Sequence, residues 1–506
     1  MYEVSNSIAR WASKSPERAA VIDEHATLSY VVLNERANHW VGALHAAGFT
    51  SGAGVIVLLP NRVEFIEVLV AMFRADVVPF FMNTNIAYYK AEDILNLVAA
   101  THAGLLITTR VFADKMAFGE DEVPFQVWCV DDLDLSGQPI GEISSPRHGT
   151  DIVLFTSGTT GSPKGIVMPK SAFDLGLQPN GHIMKPKLHL LVKPLASRGS
   201  MTTTCNILQE GNTVVLSRQS KPDAWLNLME RHDISFVKLG PSELMRWLDH
   251  LERIRSEFPP SVNHIMSNGE PLTNALKSRI KKLLPHMRVT DLYGTSEVGA
   301  ITMIDDNEWA AKDGSCGRPI FFVSVKLVDE QNQELPAGEI GEIWVKTRYR
   351  MREYYQDPAA TSVTCEGDYV KTGDLGFLDE QGYLYLRGRK HDVIKWGGFR
   401  IFPAEVEDVL REVSGIEDAV VIGNHRPERM QEPVAFIRLR EQEPMTTESE
   451  AKKKREILAY CERRLARYQV PAEVWFVKEI PLNAAGKADR RELAQRTVTL
   501  QQKDGH

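Results

Sequence analysis

Ile152-Val-Leu-Phe155-Thr-Ser-Gly-Thr-Thr-Gly-Ser-Pro-Lys164-Gly165 joins a short apolar run to a loop made almost wholly of small and hydroxylated residues. The apolar run has the length and composition of a buried strand. The loop behind it can turn its backbone N–H groups toward phosphate oxygens. The hydroxyls of Ser157, Thr159 and Thr160 can donate to those oxygens or ligate a metal, and Lys164 adds positive charge. This is not a Walker A loop. That loop needs four residues between its glycines and a Ser or Thr after the lysine, whereas two residues separate Gly158 from Gly161 and Gly165 follows Lys164.

Outward from this stretch the chain alternates strand and helix signals. On the N-terminal side, Leu33 to Ala47 repeats apolar residues at helical spacing and stops at Gly48. Val55 to Leu59 is β-rich, Val63 to Arg74 is helical, and Val77 to Met82 and Leu105 to Thr108 are again strand-like. On the C-terminal side, Thr213 to Leu216, Ser235 to Leu239 and His264 to Met266 continue the series. Such alternation predicts an α/β protein with parallel-rich sheets covered by helices. From about Gly317 to Glu380 the pattern changes to short strands, among them Val323 to Val328 and Glu342 to Val345, separated by turns, which predicts a barrel-like β piece. A further shift near Gly388 to Lys390 opens a small α+β unit.

The whole chain has 506 residues, enough for about three folding units. Its 67 acidic residues outnumber 59 basic ones, for a net charge of −8, so no positive field is available to hold nucleic acid by its phosphates. Cys129, Cys205, Cys316, Cys365 and Cys461 are odd in number and never spaced C-x-x-C. That argues against a disulfide framework or structural zinc and suits a cytoplasmic, reducing location. Residues 1–20 show no signal-peptide pattern. The most apolar region, Phe65 to Met82, is broken by Glu67, Arg74 and Asp76, so it reads as a core helix and strand rather than a transmembrane segment.

With the glycine-rich loop as anchor, several separated motifs in a fixed order make the chain resemble the adenylate-forming superfamily, in its acyl-CoA synthetase and acid–CoA ligase branch. The resemblance runs from Leu28-Ser-Tyr30 to Gly486-Lys487. It implies a large N-terminal domain, a small mobile C-terminal lid, and ATP, Mg2+ and coenzyme A as cofactors. The resemblance places residues 1–389 in the AMP-binding domain, 390–391 in a hinge and 392–506 in the lid. Thr156, Ser157, Gly158, Thr159, Thr160, Gly161 and Lys164 would cradle phosphate. In Asp291-Leu-Tyr-Gly-Thr-Ser-Glu297, Tyr293 would stack on adenine and Thr295 and Ser296 would reach the α-phosphate, with Leu292 and Gly294 between them. Glu297 and Thr160 would ligate Mg2+. Gly269, Glu270 and Pro271 match the adenine-side loop. Asp374 would accept from both ribose hydroxyls, and Arg389 would contact ribose or phosphate. Lys395, Gly397 and Gly398 match the thioester-forming face, and Lys487 matches the adenylation lysine. An ammonium bridging carboxylate and α-phosphate would stabilise the charge that builds between them. The implied reaction runs from carboxylate and Mg-ATP to acyl-AMP and pyrophosphate, then to a thioester on CoA.

Three departures stand out. The hinge position is His391 where relatives carry Asp or Lys. In Lys193-Pro-Leu-Ala-Ser197-Arg-Gly199, Ala196 and Ser197 replace an aromatic residue and a His. No carboxylate stands at Gly199, Ser200 or Met201 to pair an α-amine, which disfavours an α-amino acid. Small residues Ser197, Gly199, Ser200, Gly240, Ser267 and Gly299 suggest a roomy, mostly apolar pocket for a bulky fatty, aromatic or polycyclic acid. The missing His and altered hinge leave open that one half-reaction is weak, with adenylation the more exposed. A separate acyl carrier protein is the second choice of acceptor, and monomer and homodimer stay open. A kinase is disfavoured by the absence of its motifs; AMP against ADP as product decides between them.

Overall fold

The computed structural model describes residues 3–82, 90–116, 123–135, 151–156, 164–174, 188–219, 221–254, 258–396, 399–425, 431–440, 446–482 and 488–504. The chain divides into two units. Met1–Val325 with Val345–Val370 forms the first, and Lys326–Trp344 with Lys371–His506 the second.

The first unit is built on two sheets. In the nine-stranded sheet the order is Arg318–Pro319, Gly299–Asp305, Arg288–Thr295, His264–Asn268, Phe236–Leu239, Leu188–Leu191, Thr213–Leu216, Ala19–Ile22 and Thr27–Ser29. Its strands from Arg288–Thr295 to Ala19–Ile22 are parallel, and its outer strands are antiparallel. In the seven-stranded sheet Glu353–Tyr354, Lys164–Met168, Ile152–Thr156, Val78–Phe81, Gly54–Val57, Leu105–Thr108 and Gln126–Cys129 follow one another. Here too a parallel body carries antiparallel strands at one edge. The expected α/β class with parallel-rich sheets is what forms.

The helix Val63–Arg74 shows how the first unit accommodates its charges. Every residue in it except Glu64 is buried. Glu67 survives there because Arg36 Nη1 donates to it at 2.8 Å and Trp40 Nε1 at 3.2 Å, although burial still raises its carboxyl above the usual range. Arg74 donates to Ser5 Oγ, to the Asn34 carbonyl and to the Asn34 and Asn38 side chains. These charges are satisfied inside a protein core, as buried charges must be. Among the described residues no helix is long and apolar enough to cross a membrane.

The second unit holds the strand segments 326–328, 341–344 and 371–378 with Leu384–Arg389, in that sheet order. Beyond them come the hairpin Ile394–Trp396 with Phe399–Ile401, and a three-stranded sheet ordered Ile416–His425, Gln431–Leu439, Glu473–Phe476. Helices Pro403–Arg411 and Thr447–Arg464 close a core around Val406, Leu410, Ile457 and Cys461. All five cysteines are free thiols.

Candidate active site

The order in which the chain adds strands to the nine-stranded sheet reverses around Leu188–Leu191. The chain leaves this strand for Thr213–Leu216 on one side, then crosses to Phe236–Leu239 on the other and continues outward. Connections that diverge from neighbouring parallel strands open a crevice at their carboxyl ends, the usual ligand position of such sheets. Lys193 follows the first of these strands, Gly240 the second, and Asn268-Gly269-Glu270-Pro271 ends the next, His264–Asn268. Arg288–Thr295 comes beside it in register, Ser267 opposite Asp291 and Asn268 opposite Leu292. The two motifs that end these consecutive strands therefore emerge side by side.

Arg288–Thr295 pairs with Gly299–Asp305, Thr295 facing Gly299, so Ser296, Glu297 and Val298 form the tip of a hairpin. The bend depends on glycine. A Cβ on Gly294 would lie 2.2 Å from the Gly299 carbonyl oxygen, and Gly299 has φ +80°. At the tip, Glu297 Oε1 accepts from the Tyr354 hydroxyl at 3.0 Å, and the Glu297 carbonyl accepts from Met351 N at 2.6 Å. The Thr295 hydroxyl is buried with no hydrogen-bond partner. Asp291 is buried as well; burial pushes its carboxyl up to about 6 while the Lys277 ammonium pulls it down. Tyr293 is half-buried and Leu292 buried. Glu270 accepts from the Ser242 hydroxyl, and Gly269 has φ +94°.

On the other sheet, Ile152–Thr156 and Lys164–Met168 run antiparallel with Thr156 opposite Lys164. Ser157, Gly158, Thr159, Thr160 and Gly161 lie outside the described residues, as does the side chain of Thr156. Tyr354 pairs with Ile166 on the adjoining strand, and the Lys164 ammonium stands 5.2 Å over the Tyr354 ring. Tyr354 thus bridges the Lys164 strand and the Glu297 carboxylate. Sequence reasoning missed it. The only signal was a Tyr-Tyr pair after Met351-Arg-Glu.

At the acid-side positions, Ser197 caps the helix Arg198–Gln209, its hydroxyl oxygen accepting from Ser200 N at 3.3 Å. Ser267 and Ser200 are buried. The glycines are bordered by charge. A Cβ on Gly240 would meet Lys193 Nζ at 2.3 Å, one on Gly269 the same atom at 3.0 Å, and one on Gly199 would lie 3.7 Å from Lys238 Nζ. Arg198 Nη2 stands 3.6 Å from the corresponding point on Gly299. Lys238 was also missed, although a lysine inside the otherwise apolar Phe236-Val-Lys-Leu239 is a visible signal.

In the second unit, Asp374 and Arg389 face each other across antiparallel strands, with Arg389 Nε 2.8 Å from Asp374 Oδ1. Thr372 Oγ1 donates to the Ile343 carbonyl and accepts from Asp374 N, which fixes the strand backbone that presents Asp374. His391 Nε2 stands 3.4 Å from Asp392 Oδ1, and Arg490 joins Asp392 to Glu407. Lys395 is exposed on its hairpin, with its backbone N–H bonded to Gln431 Oε1. Gly397, Gly398 and Lys487 lie outside the described residues.

The fold matches known proteins. Residues 8–355 match the family model of the AMP-binding enzymes, and residues 405–487 that of the AMP-binding enzyme C-terminal domain. The 2-succinylbenzoate–CoA ligase of Geobacillus kaustophilus (strain HTA426) is 30% identical over 97% of this chain and 98% of its own. Its namesake from Bacillus subtilis (strain 168) is 28% identical over 97% and 98%. The solved o-succinylbenzoate CoA synthetase (MenE) from Bacillus subtilis, in complex with its acyl-adenylate intermediate, superposes with a TM-score of 0.82 at 27% identity, covering 96% and 97% of the two chains. The fold is also that of an anthranilate CoA ligase, with a TM-score of 0.87 at 22% identity over 98% and 97%. The ordered motifs, the reversal in the nine-stranded sheet and these matches agree: the chain belongs to the AMP-binding enzyme family of the adenylate-forming superfamily.

Proposed function

We propose that this chain is an ATP-dependent acid–thiol ligase that forms AMP, activating a bulky carboxylic acid of the aromatic class as acyl-AMP and passing it to coenzyme A. The observation that carries this reading is the hairpin tip at Glu297. Its carboxylate is anchored by Tyr354 beside Lys164, in a chain that aligns over nearly its full length with ligases named for 2-succinylbenzoate and CoA.

Among the described residues, no three His, Cys, Asp or Glu side chains gather as a metal cluster. A single carboxylate at Glu297 suits Mg2+, which keeps most of its ligands as phosphate oxygens and water. Bound there with Thr160, Mg2+ would neutralise charge on the ATP phosphates. Tyr354 would orient Glu297 through its O–H and leave the second carboxylate oxygen for the ion. The unpartnered Thr295 hydroxyl is a ready donor to the α-phosphate. Lys164 and the loop Ser157–Gly161 would hold the departing phosphates, Tyr293 the adenine with Asp291, and Asp374 and Arg389 the ribose. Lys487 would orient the acid carboxylate toward phosphorus and stabilise the charge of that transition state. Lys395, Gly397 and Gly398 would serve thioester formation, with His391 as pivot between a domain of residues 1–389 and a lid of 392–506.

Ser197 supports a second reading, in which adenylation is the slower half-reaction. Where the family's pattern has a His, Ser197 stands at the start of a helix and caps it. A separate acyl carrier protein as acceptor, a cytoplasmic setting and a monomer or homodimer belong to the same proposal. Mass spectrometry of products from an acid library with ATP, Mg2+ and CoA tests it. Acyl-CoA with AMP and pyrophosphate is the expected outcome; ADP, or no acid-dependent product, overturns it.

A further inference from the structure

The crevice proposed for the acid holds more positive charge than its own carboxylates balance. Lys193, Arg198 and Lys238 all border it. Lys238 is 4% exposed, and its ammonium donates to the Gly199 carbonyl at 2.9 Å and the Thr203 hydroxyl at 2.6 Å. No carboxylate among the described residues forms an ion pair with it. Burial, with Lys193 nearby, lowers its pKa to about 7. Arg198, also buried, donates to the Ala172 and Tyr349 carbonyls and to Thr202, and its Nε has no acceptor. Lys193 donates to the Asn268 carbonyl at 2.9 Å and stands 3.7 Å from Glu243 Oε2, an oxygen that also accepts from Gly240 N at 2.8 Å. Glu243 also stands 4.0 Å from Arg246, and of the three cations bordering the crevice only Lys193 has an ion-pair partner among the described residues.

Packing alone does not explain this arrangement. Burying an ammonium without a counter-charge is costly, and an apolar side chain of similar length would fill the place of Lys238 without that cost. Gly199, Gly240 and Gly269 let the two lysine ammonium groups approach the crevice: a Cβ on any of the three would come within 3.7 Å of one or the other, and one on Gly240 would also meet Glu243 Oε2 at 2.5 Å. Beside them, the Asn268 side-chain oxygen is buried and has no donor. Two ammonium groups and an amide therefore converge on one point between diverging strands.

We propose that the acid substrate carries a second carboxylate, remote from the one that is activated, and that Lys193 and Lys238 hold it as specificity-determining residues. The proposal rests on the ligase reading above and narrows it to dicarboxylic acids. Pairing of the second carboxylate with Lys238 supplies the missing counter-charge. Glu243, bonded to Gly240 N, keeps Lys193 in place when the crevice is empty.

The test uses the full chain with matched acids, phthalate against benzoate, homophthalate against phenylacetate, and 2-succinylbenzoate against 4-oxo-4-phenylbutanoate. Acid-dependent pyrophosphate release gives kcat/KM for each, and calorimetry gives the binding of each acid independently of turnover. The wild-type chain is expected to favour the dicarboxylate of its best pair. In Lys193→Met and Lys238→Met that preference should fall by about 10- to 100-fold, the worth of a hydrogen bond to a charged group, with the monocarboxylate unchanged or improved. If Lys238→Met does not fold, the half-exposed Lys193→Met alone decides. Equal losses for both members of a pair would mean the lysines serve the reacting carboxylate and would overturn the proposal. So would a wild-type preference for monocarboxylates, in turnover or in binding. Failure of the ligase reading looks different, because no acid of any kind would then release pyrophosphate.

Discussion

Tyr354→Phe isolates the contact on which the proposed metal position depends. The ring stays packed, since Tyr354 is only 8% exposed and its neighbours are unchanged, while the 3.0 Å hydrogen bond to Glu297 Oε1 is lost. A hydrogen bond to a charged group is worth about 1.5–3 kcal/mol, and ~2 kcal/mol corresponds to a roughly 30-fold change in rate or binding. Glu297 has a second anchor, its carbonyl bonded to Met351 N, so the hairpin tip stays in place and the loss falls on the carboxylate alone. The expected result is a drop of about 10- to 100-fold in kcat/KM for MgATP. The drop should shrink as free Mg2+ is raised, and the thermal midpoint should hardly move. Pyrophosphate release at varied ATP and Mg2+ measures the first two, and calorimetric melting the third. A variant with kcat/KM within twofold of wild type would refute the role given to this contact.

Two further outcomes follow from the geometry. Gly294→Ala places a methyl group 2.2 Å from the Gly299 carbonyl and 2.9 Å from the Ala300 Cα, both backbone atoms that cannot swing away. It should cost about 1–3 kcal/mol in a urea titration and disable the Glu297 tip, whereas an unchanged midpoint would contradict the hairpin packing. Lys238 makes stability depend on pH. Its folded pKa is lowered to about 7 by burial and by Lys193, while an unfolded lysine holds its proton to about 10.4. Between these values the unfolded chain binds more protons, so stability rises with pH, by at most ~1.4 kcal/mol per unit. Urea midpoints at pH 7 and 9 should show that rise in the wild-type chain and a flatter trend in Lys238→Met. The other charged groups bordering this crevice are Lys193, Arg198 and Glu243. Equal slopes in the two proteins would count against a buried, depressed Lys238.

The local pattern carried much of the fold. Val63–Arg74, Leu105–Thr108, Thr213–Leu216 and Val323–Val328 form over the residues their apolar spacing predicts. Each is decided by which side chains its own segment must bury. What the sequence leaves open is adjacency. Nothing in Leu188–Leu191 says that it pairs with Phe236–Leu239 as well as Thr213–Leu216, yet that placement makes the crevice. Tyr354 lies 190 residues from Lys164 and 57 from Glu297, and only strand register brings the three together. The small residues at Gly199 and Gly240 were legible as space. That Lys193 comes beside Gly240, and Lys238 beside Gly199, is a tertiary fact, and the proposal of a dicarboxylic acid rests on it.

The central claim is that this chain makes an acyl adenylate with Lys487 as the group that assists it. Acid-dependent exchange of labelled pyrophosphate into ATP, without CoA, reports that step alone. The wild-type chain is expected to show exchange that requires both Mg2+ and the acid. In Lys487→Ala the exchange should be almost completely lost, with thioester formation from a preformed acyl adenylate retained. Exchange that survives in Lys487→Ala at the wild-type rate would contradict the claim, as would exchange that ignores the acid.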